Sequence, residues 1–507
     1  MSVSFGVPRP RRGGVAAALA RSRLGVPQVV FFVLAAAAPM TVVASAVPTA
    51  YAVTGLSGVP VAYAATAAVM VVFAVGYVAM SRHVVNAGSM YSYVAHALGP
   101  ACGVAAAFVA VVAYNLMQIG LYGAFGVVTA ATVSAVAGVG VSWWVWALGG
   151  WLLVAVLGLA RVDLNGRVLG VLLVAEITVV VVFDTVMATH PAAGGGLALH
   201  GLAPGHLAVP GMAAILVGGI AGYVGVEATT VLAEETRDPG RTVAHATYTA
   251  IAVTAVLYAG SAWAMQTAAG PTQIIDAATR HGPELMFVLV DGHLPRLFVD
   301  VGRLLLVTSL FAALLAFHNM VARYLFALGR EQVLPAALGR TSGRTGAPRL
   351  GSLAQTGVAG LVIVVYALAG LDPIVHLFFW LTVTGGLGVL ILMTATSLAV
   401  LVYFRHDRRG ESRWSTAFAP GVALNLLVFI LGGTLIGFGD LLDAPPGSPA
   451  RWALPGLYAA AVTAGLAWAA VLHRTRRHVY ATVGAGADAA TRPTTHPTPA
   501  VRKEIRR

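Results

Sequence analysis

Charge is the scarcest property of this chain. Only 10% of its 507 residues are Asp, Glu, Lys or Arg, against about 25% in soluble proteins, which excludes a set of soluble domains. Lysine is almost missing: Lys503 stands alone, and arginine carries nearly all the positive charge. Cysteine is reduced to Cys102, which excludes an intramolecular disulfide framework and a cysteine-based metal site. The chain has no His-Glu-x-x-His, no Walker-type loop and no clustered Cys/His set. An intramembrane metalloprotease and an ATP-driven pump therefore lack their machinery. The segment Gly55-Leu56-Ser57-Gly58 has the look of an intramembrane serine protease motif. Such an enzyme needs a histidine base on another span, and the candidate His318 is expected near the opposite membrane face.

What fills the chain is apolar surface. Hydrophobic residues make up 58% of it, and the mean hydropathy is +0.83. About 20 apolar residues cross a bilayer. Twelve runs qualify, near 28–54, 59–80, 99–126, 142–160, 168–188, 209–233, 243–267, 299–328, 351–370, 374–403, 417–438 and 453–472. The fold class expected is therefore an all-α membrane protein with 12 transmembrane helices. Asn86 to Leu98 reads as an amphipathic interfacial segment, and His281 to Leu294 as a short extracellular helix before the eighth span.

Arginine placement orients the spans. Arg9, Arg11, Arg12, Arg21 and Arg23 precede the first run, which is too long for a signal-peptide core and shows no convincing cleavage site. Residues 1–26 are thus expected to be a retained cytoplasmic tail. With both termini cytoplasmic, 27 Lys and Arg fall inside and four outside: Arg280, Arg296, Arg303 and Arg451. That asymmetry follows the positive-inside rule. Basic loops facing anionic lipid account for the net charge of +12 without nucleic acid. Residues 479–507 turn Ala/Gly-rich, then Thr/Pro-rich, and read as a disordered cytoplasmic tail.

Two runs are interrupted. In the sixth, Gly218, Gly219, Gly222 and Gly225 surround Glu227. Hydrocarbon does not tolerate unsatisfied backbone or a carboxylate, so this stretch is either a broken helix lining a site or a glycine-rich helix packed closely on its neighbours. In the first run, Pro39-Met40-Thr41-Val42-Val43-Ala44-Ser45-Ala46-Val47-Pro48 has prolines at both ends, each of which removes a helical donor. Interrupted helices at matching places in two halves point to an inverted-repeat transporter. The positive dipole end of a half-helix attracts a carboxylate, and freed carbonyls accept an ammonium group. A zwitterionic amino acid supplies both charges.

Three motifs then carry a family resemblance over roughly residues 25–475. NAGSMYSYVAHALGP (86–100) is similar to a Gly-containing Tyr-x-Tyr segment ending in Gly-Pro. YVGVEATTVLAEETRDPGRTV (223–243) is similar to a Gly-hydrophobic-Glu core followed by an acidic pair and Asp-Pro-x-Arg. SLFAALLAFHNMVARYLFALGREQVLP (309–335) resembles an eighth span with its cytoplasmic exit. The chain resembles the amino acid–polyamine–organocation (APC) permease superfamily. The resemblance implies a LeuT-type architecture: a 5+5 inverted repeat over residues 27–190 and 205–405, with two peripheral helices in 415–475. It implies a permease of the plasma membrane that moves amino acids or related amines by alternating access, coupled to protons or by exchange. A non-transporting sensor of the same fold is the alternative.

Candidate substrate contacts are Met40, Thr41, Val42, Val43, Ala44 and Ser45 in the first break and Ala221, Gly222, Tyr223 and Gly225 in the second. Met40 to Ser45 stand where relatives carry a Gly-Ser-Gly-like break. Asn115, Gln118 and Tyr122 share one helical face, either toward the site or toward a neighbouring helix. Glu227 is a protonatable gate or a structural carboxylate. Counting from Asn165-Gly166-Arg167 places Glu176 where several proton-coupled relatives carry a lysine, which makes it a proton carrier or a helix-packing group. The resemblance also puts Ser309 near a cation site and Trp380 at a second gate. His318 and Asn319 read as structural, and Glu234, Glu235, Arg237, Asp238 and Arg241 as a mixed-charge loop able to pair with Arg323 or Arg330. The partners expected are a small-molecule substrate, membrane lipid and protons; no cofactor and no metal are implied, and oligomeric state is left open.

Overall fold

A computed structural model describes residues 24–486 apart from 87, 160–161, 194, 210, 234–235, 344 and 443. Among the described residues the chain is helical, with no strand beyond two isolated bridges. Ten helices are long and apolar enough to cross a membrane, and two shorter apolar helices join them. In chain order the twelve segments are α1 (Val26–Thr54), α2 (Val59–Ser81), α3 (Pro100–Ala137), α4 (Trp143–Gly158), α5 (Val162–Thr189) and α6 (Ile215–Val231). They continue as α7 (Pro239–Ala269), α8 (Arg296–Arg330), α9 (Arg349–Ala369), α10 (Pro373–Tyr403), α11 (Trp414–Ile436) and α12 (Ala450–Thr475). Runs this apolar must satisfy every backbone group internally, and in hydrocarbon the helix does so within one segment.

Burial sorts the helices into a centre and a rim. The most apolar stretch of α1 is 78% buried inside the protein, whereas that of α12 is 22% buried. Helix α3 is the hub, packed against α4, α8, α10 and α12. Its approach to α10 needs glycine: a Cβ at Gly123 would stand 2.3 Å from the Pro373 carbonyl oxygen. Small residues allow such close backbone contact where no hydrophobic effect drives association between helices in lipid. Large apolar side chains exposed on the rim, including Leu361, Leu368, Phe429 and Ile436, face outward as lipid-facing residues do.

The interfacial and external segments depart from their sequence readings. The helix Met90–Leu98 buries Met90 through Ala95 instead of lying half-exposed on a surface. The helix expected before the eighth span begins earlier, at Ile274, and is divided: Ile274–His281 ends at Gly282, whose φ is +49°, and Leu285–Val290 follows. Three of the four arginines expected outside sit in ion pairs. Arg303 pairs with Glu284 and Asp300 at 3.0 Å, Arg296 with Asp300 at 3.8 Å, and Arg451 with Asp440 at 2.5 Å.

What covers Met90–Leu98 is the chain's own C-terminal segment. After α12, a short helix Arg477–Ala481 and a turn through Gly486 fold back onto the bundle. Glu331, at the end of α8, accepts hydrogen bonds from the backbone N–H groups of Gly484 and Gly486, both at 2.9 Å. Asn86 donates to the Gly484 carbonyl at 2.7 Å. Residues 479–486, read from composition as part of a disordered tail, are therefore held in place; residues 487–507 lie outside the described part, as do residues 1–23. Burial raises the Glu331 carboxyl above its ordinary pKa, against the lowering pull of its donors and Arg330. Glu331→Gln turns one carboxylate oxygen into an amide donor and leaves the Gly484 or the Gly486 N–H without its acceptor, a cost of about 1–3 kcal/mol. Amide exchange at Gly484 and Gly486 is expected to accelerate roughly tenfold or more; unchanged exchange would show that other contacts hold the segment.

Candidate functional site between two broken helices

Proline sets the first break. Ala38 adopts left-handed backbone angles (φ 44°, ψ 68°), and its N–H closes the first half of α1 on the Leu34 carbonyl. Pro39 has no N–H to continue the ladder and starts the second half. The second half is irregular as well: Val42–Ala46 forms a wider π turn, closed by the Val47 N–H on the Val42 carbonyl. Such turns gather at functional sites. The break thus sits at the N-terminal edge of the stretch from Pro39 to Pro48, with a wound but distorted segment behind it.

Glycine sets the second. The first half of α6, Met212–Tyr223, stops where Val224 turns extended (ψ 132°) and Gly225 takes φ +117°. A four-residue helix, Ala228–Val231, follows with Glu227 as its N-cap. No side chain fits at 225: a Cβ there would stand 2.9 Å from both the Ala36 Cβ and the Ala37 nitrogen. The two breaks are therefore in contact.

One side chain ties them further. Tyr258 of α7 places its hydroxyl 3.0 Å from the Ala37 carbonyl of α1 and 3.0 Å from the Gly222 carbonyl of α6. A phenol carries one proton, so the two freed carbonyls share a single donor. Tyr63 and Tyr223 pack edge-on against the same ring, with centroids at 5.7 and 5.3 Å. Nothing in the sequence around Tyr258 announces this role; the residue is one tyrosine among small apolar neighbours.

Beside the paired breaks lies a cavity of about 100 Å3. Ala36, Ala37, Thr41, Val42, Ala221 and Gly222 form its broken-helix side, together with Gly218. Met117, Ala313, Phe317, Phe378, Phe379 and Thr382 form the facing wall, from α3, α8 and α10. Thr49, Val53 and Thr54 extend the lining along the second half of α1. The facing wall was not legible as site residues, because a phenylalanine on an apolar helix carries no local mark of a cavity.

Of the candidate residues, Thr41, Val42, Ala221 and Gly222 line this cavity. Met40, Val43, Ala44 and Ser45 are buried behind it, the Ser45 hydroxyl without a hydrogen-bond partner among the described residues. Tyr223 and Gly225 shape the break from outside the cavity. Gln118 points into helix packing, where Gln355 donates to its carbonyl oxygen and its amide meets His318 at 3.4 Å. His318 in turn meets Ser352 at 2.7 Å. Trp380 donates to the Leu442 carbonyl at 3.0 Å and packs on His376.

Glu227 lies across the break from the cavity. One carboxylate oxygen accepts from the Gly225 N–H at 2.9 Å and the other from the Tyr114 hydroxyl at 2.8 Å. Tyr77 donates to the Glu227 carbonyl at 3.0 Å and also meets Thr230 and Ser89. Glu176 of α5 is buried next to the Ser309 hydroxyl of α8, and Ser309 accepts from Thr41 at 3.3 Å. That chain of polar groups reaches from α5 to the first break. Arg237 and Asp238 bind backbone: the Arg237 N–H donates to the Leu24 carbonyl at 3.1 Å, and Asp238 caps α7 through the Arg241 N–H at 3.3 Å. Glu234 and Glu235 lie outside the described residues. Arg323 stacks over Phe32 at 5.9 Å and Arg330 over Phe326 at 5.2 Å.

Comparison with known proteins adds the family. The profile of the family described as "Amino acid permease" matches residues 28–479. The chain belongs to that family. No curated protein matches the permease significantly. Family membership and ten apolar helices of spanning length make it a multi-pass membrane protein of a transporter family.

In the permease, Tyr258→Phe keeps the ring and removes the shared proton. The Ala37 and Gly222 carbonyls then lose their shared protein donor, at about 1–3 kcal/mol. The expected result is a lower thermal unfolding midpoint in detergent with the helical content unchanged; an unaltered midpoint would show that the tie contributes nothing.

Proposed function

We propose that the permease is a secondary transporter carrying amino acids or related amines across the plasma membrane by alternating access. In this reading all twelve apolar helices span the bilayer with both termini in the cytoplasm. α1–α5 and α6–α10 are inverted repeats of LeuT type, and α11 and α12 are peripheral. The observation that carries the proposal is the meeting of two interrupted helices, α1 and α6, beside one cavity. Interrupted helices at corresponding positions of two halves are the structural pointer to a transport site. The 27-to-4 split of Lys and Arg supports the orientation.

The chemistry follows from the backbone. The outer half of α1 begins at Pro39, so its first N–H groups, from Met40 and Thr41, lie at the positive end of a helix dipole and suit a carboxylate. Ala221 and Gly222 end the first half of α6, where carbonyl oxygens suit an ammonium group. Thr41, Val42, Ala221 and Gly222 contact the substrate in this account. Met40, Val43, Ala44, Ser45, Tyr223 and Gly225 hold the break in shape, and Gln118 and Trp380 act through packing. The cavity runs along the outer half of α1, while Tyr114, Glu227, Tyr77 and Thr230 close the chain on the other side of the break. That asymmetry fits a state open toward the outside.

Coupling runs through Glu176, Ser309 and Thr41 in this account. A carboxyl group that gains and loses a proton beside Ser309 changes the hydrogen bond reaching the first break. Glu176→Gln fixes the neutral form. Uptake by the variant in proteoliposomes is expected to lose its response to a pH gradient while exchange of substrate persists; pH-driven accumulation at the level of the unaltered protein rules out Glu176 as the coupling group.

A further inference from the structure

The cavity has a polar end and an apolar end, and among the described residues its only ionisable side chain is one phenol. Its polar end is backbone, at the two breaks. Its far wall is Met117, Phe317, Phe378 and Phe379 with Val383 and Leu441. Among the described residues no Asp, Glu, Lys, Arg or His lines it. The carboxylates of α5 and α6 are committed elsewhere: both oxygens of Glu227 accept hydrogen bonds across the break, and Glu176 adjoins Ser309 behind Thr41.

The hydroxyl groups narrow the choice further. Thr49 donates to the Ser45 carbonyl at 2.7 Å, Thr54 to the Ala50 carbonyl at 2.6 Å, and Thr382 to the Phe378 carbonyl at 2.6 Å. Thr41 donates to Ser309 at 3.3 Å. Each spends its one proton on the protein and offers the cavity only an acceptor. Tyr63 differs: it lines the cavity, and its hydroxyl makes no hydrogen bond among the described residues. It stands with its ring against Tyr258, next to the tie between the breaks.

Resting on the reading of this cavity as the substrate site, we infer that its substrates are α-amino acids with a bulky apolar side chain, and that Tyr63 is a hydrogen-bond donor to their polar end. The zwitterion is held at the breaks by backbone groups and the Tyr63 hydroxyl. The side chain lies against Met117, Phe317, Phe378 and Phe379, where aromatic rings favour aliphatic and aromatic groups. An arginine, glutamate or diamine would bring a second charge into a wall with no counter-ion. Burying an unpaired charge costs far more than one apolar contact returns. Gly218 gauges the size of the space: it borders the cavity, and a Cβ there meets nothing within 4 Å. Side chains at 218 therefore grow into the substrate's volume without disturbing the packing.

The experiment is uptake and competition in proteoliposomes of the full-length protein with labelled leucine, phenylalanine, alanine, arginine, glutamate and putrescine. Leucine and phenylalanine are expected to enter, and arginine, glutamate and putrescine neither to enter nor to compete. Gly218→Val is expected to raise the ratio of alanine to phenylalanine uptake roughly tenfold, the scale of one or two methylenes in an apolar pocket. Tyr63→Phe is expected to weaken leucine roughly tenfold or more, the scale of a hydrogen bond to a charged group. Transport of arginine, glutamate or putrescine as fast as leucine overturns the assignment of side chain and leaves the transporter reading standing. Loss of neither selectivity in Gly218→Val nor affinity in Tyr63→Phe, with leucine still transported, overturns the placement of the substrate in this cavity. Movement of none of the compounds overturns the transporter reading itself.

Discussion

Two carbonyl groups and one proton set the terms for this fold. A helix that stops inside a membrane leaves its last carbonyls without partners, and hydrocarbon offers none. In this permease the Ala37 carbonyl of α1 and the Gly222 carbonyl of α6 each lie 3.0 Å from the same Tyr258 hydroxyl. Neither break is therefore satisfied independently. The halves of α1 and α6 must stay near each other and near α7, and Gly225 makes the approach possible by having no side chain to set between them. The hydroxyl serves two acceptors with a single proton, so hydrogen-bonding capacity remains at the breaks for a further donor. An ammonium group is such a donor.

The two sides of this tie are built differently. Toward the cavity the breaks present backbone and small side chains, flanked by threonines whose protons are already committed. Away from it, Glu227, Tyr114, Tyr77, Ser89 and Thr230 form a connected polar cluster. Farther along, Glu331 fastens the C-terminal segment over Met90–Leu98. A satisfied buried network is rigid and costly to open, whereas an apolar wall opposite free backbone is suited to receive a ligand. The contrast is what the proposed transport cycle exploits: the second side must come apart for the cavity to open inward.

Much of this was legible in the chain and some was not, for physical reasons. Hydrophobic length located the apolar helices because the bilayer imposes a minimum, and Gly222, Gly225 and Glu227 marked the sixth run as either a broken helix or a closely packed one. The first break was displaced: its hinge is Ala38, and alanine rarely takes positive φ, so only Pro39 beside it hinted at the place. Gln118 was legible as one of three polar residues on a helical face, but which neighbour that face meets depends on Gln355, 237 positions away. Phe317, Phe378 and Tyr258 were silent, since apolar helices carry such residues for packing alone. The ordered turn at Gly484 and Gly486 was hidden by composition; small residues that look unstructured are the ones able to reach a buried carboxylate through backbone N–H groups.

The central claim is that the space between the two breaks is where substrate sits, and site-directed thiol labelling tests it most directly. With Cys102 replaced by Ser, a single cysteine at Thr49 places a reactive group on the cavity lining in the outer half of α1. A membrane-impermeant maleimide is expected to label this cysteine from outside the cell, with saturating leucine slowing the reaction several-fold, whereas a cysteine at lipid-facing Leu368 shows no slowing. Labelling at position 49 that leucine and every other transported amino acid leave unchanged would contradict the account.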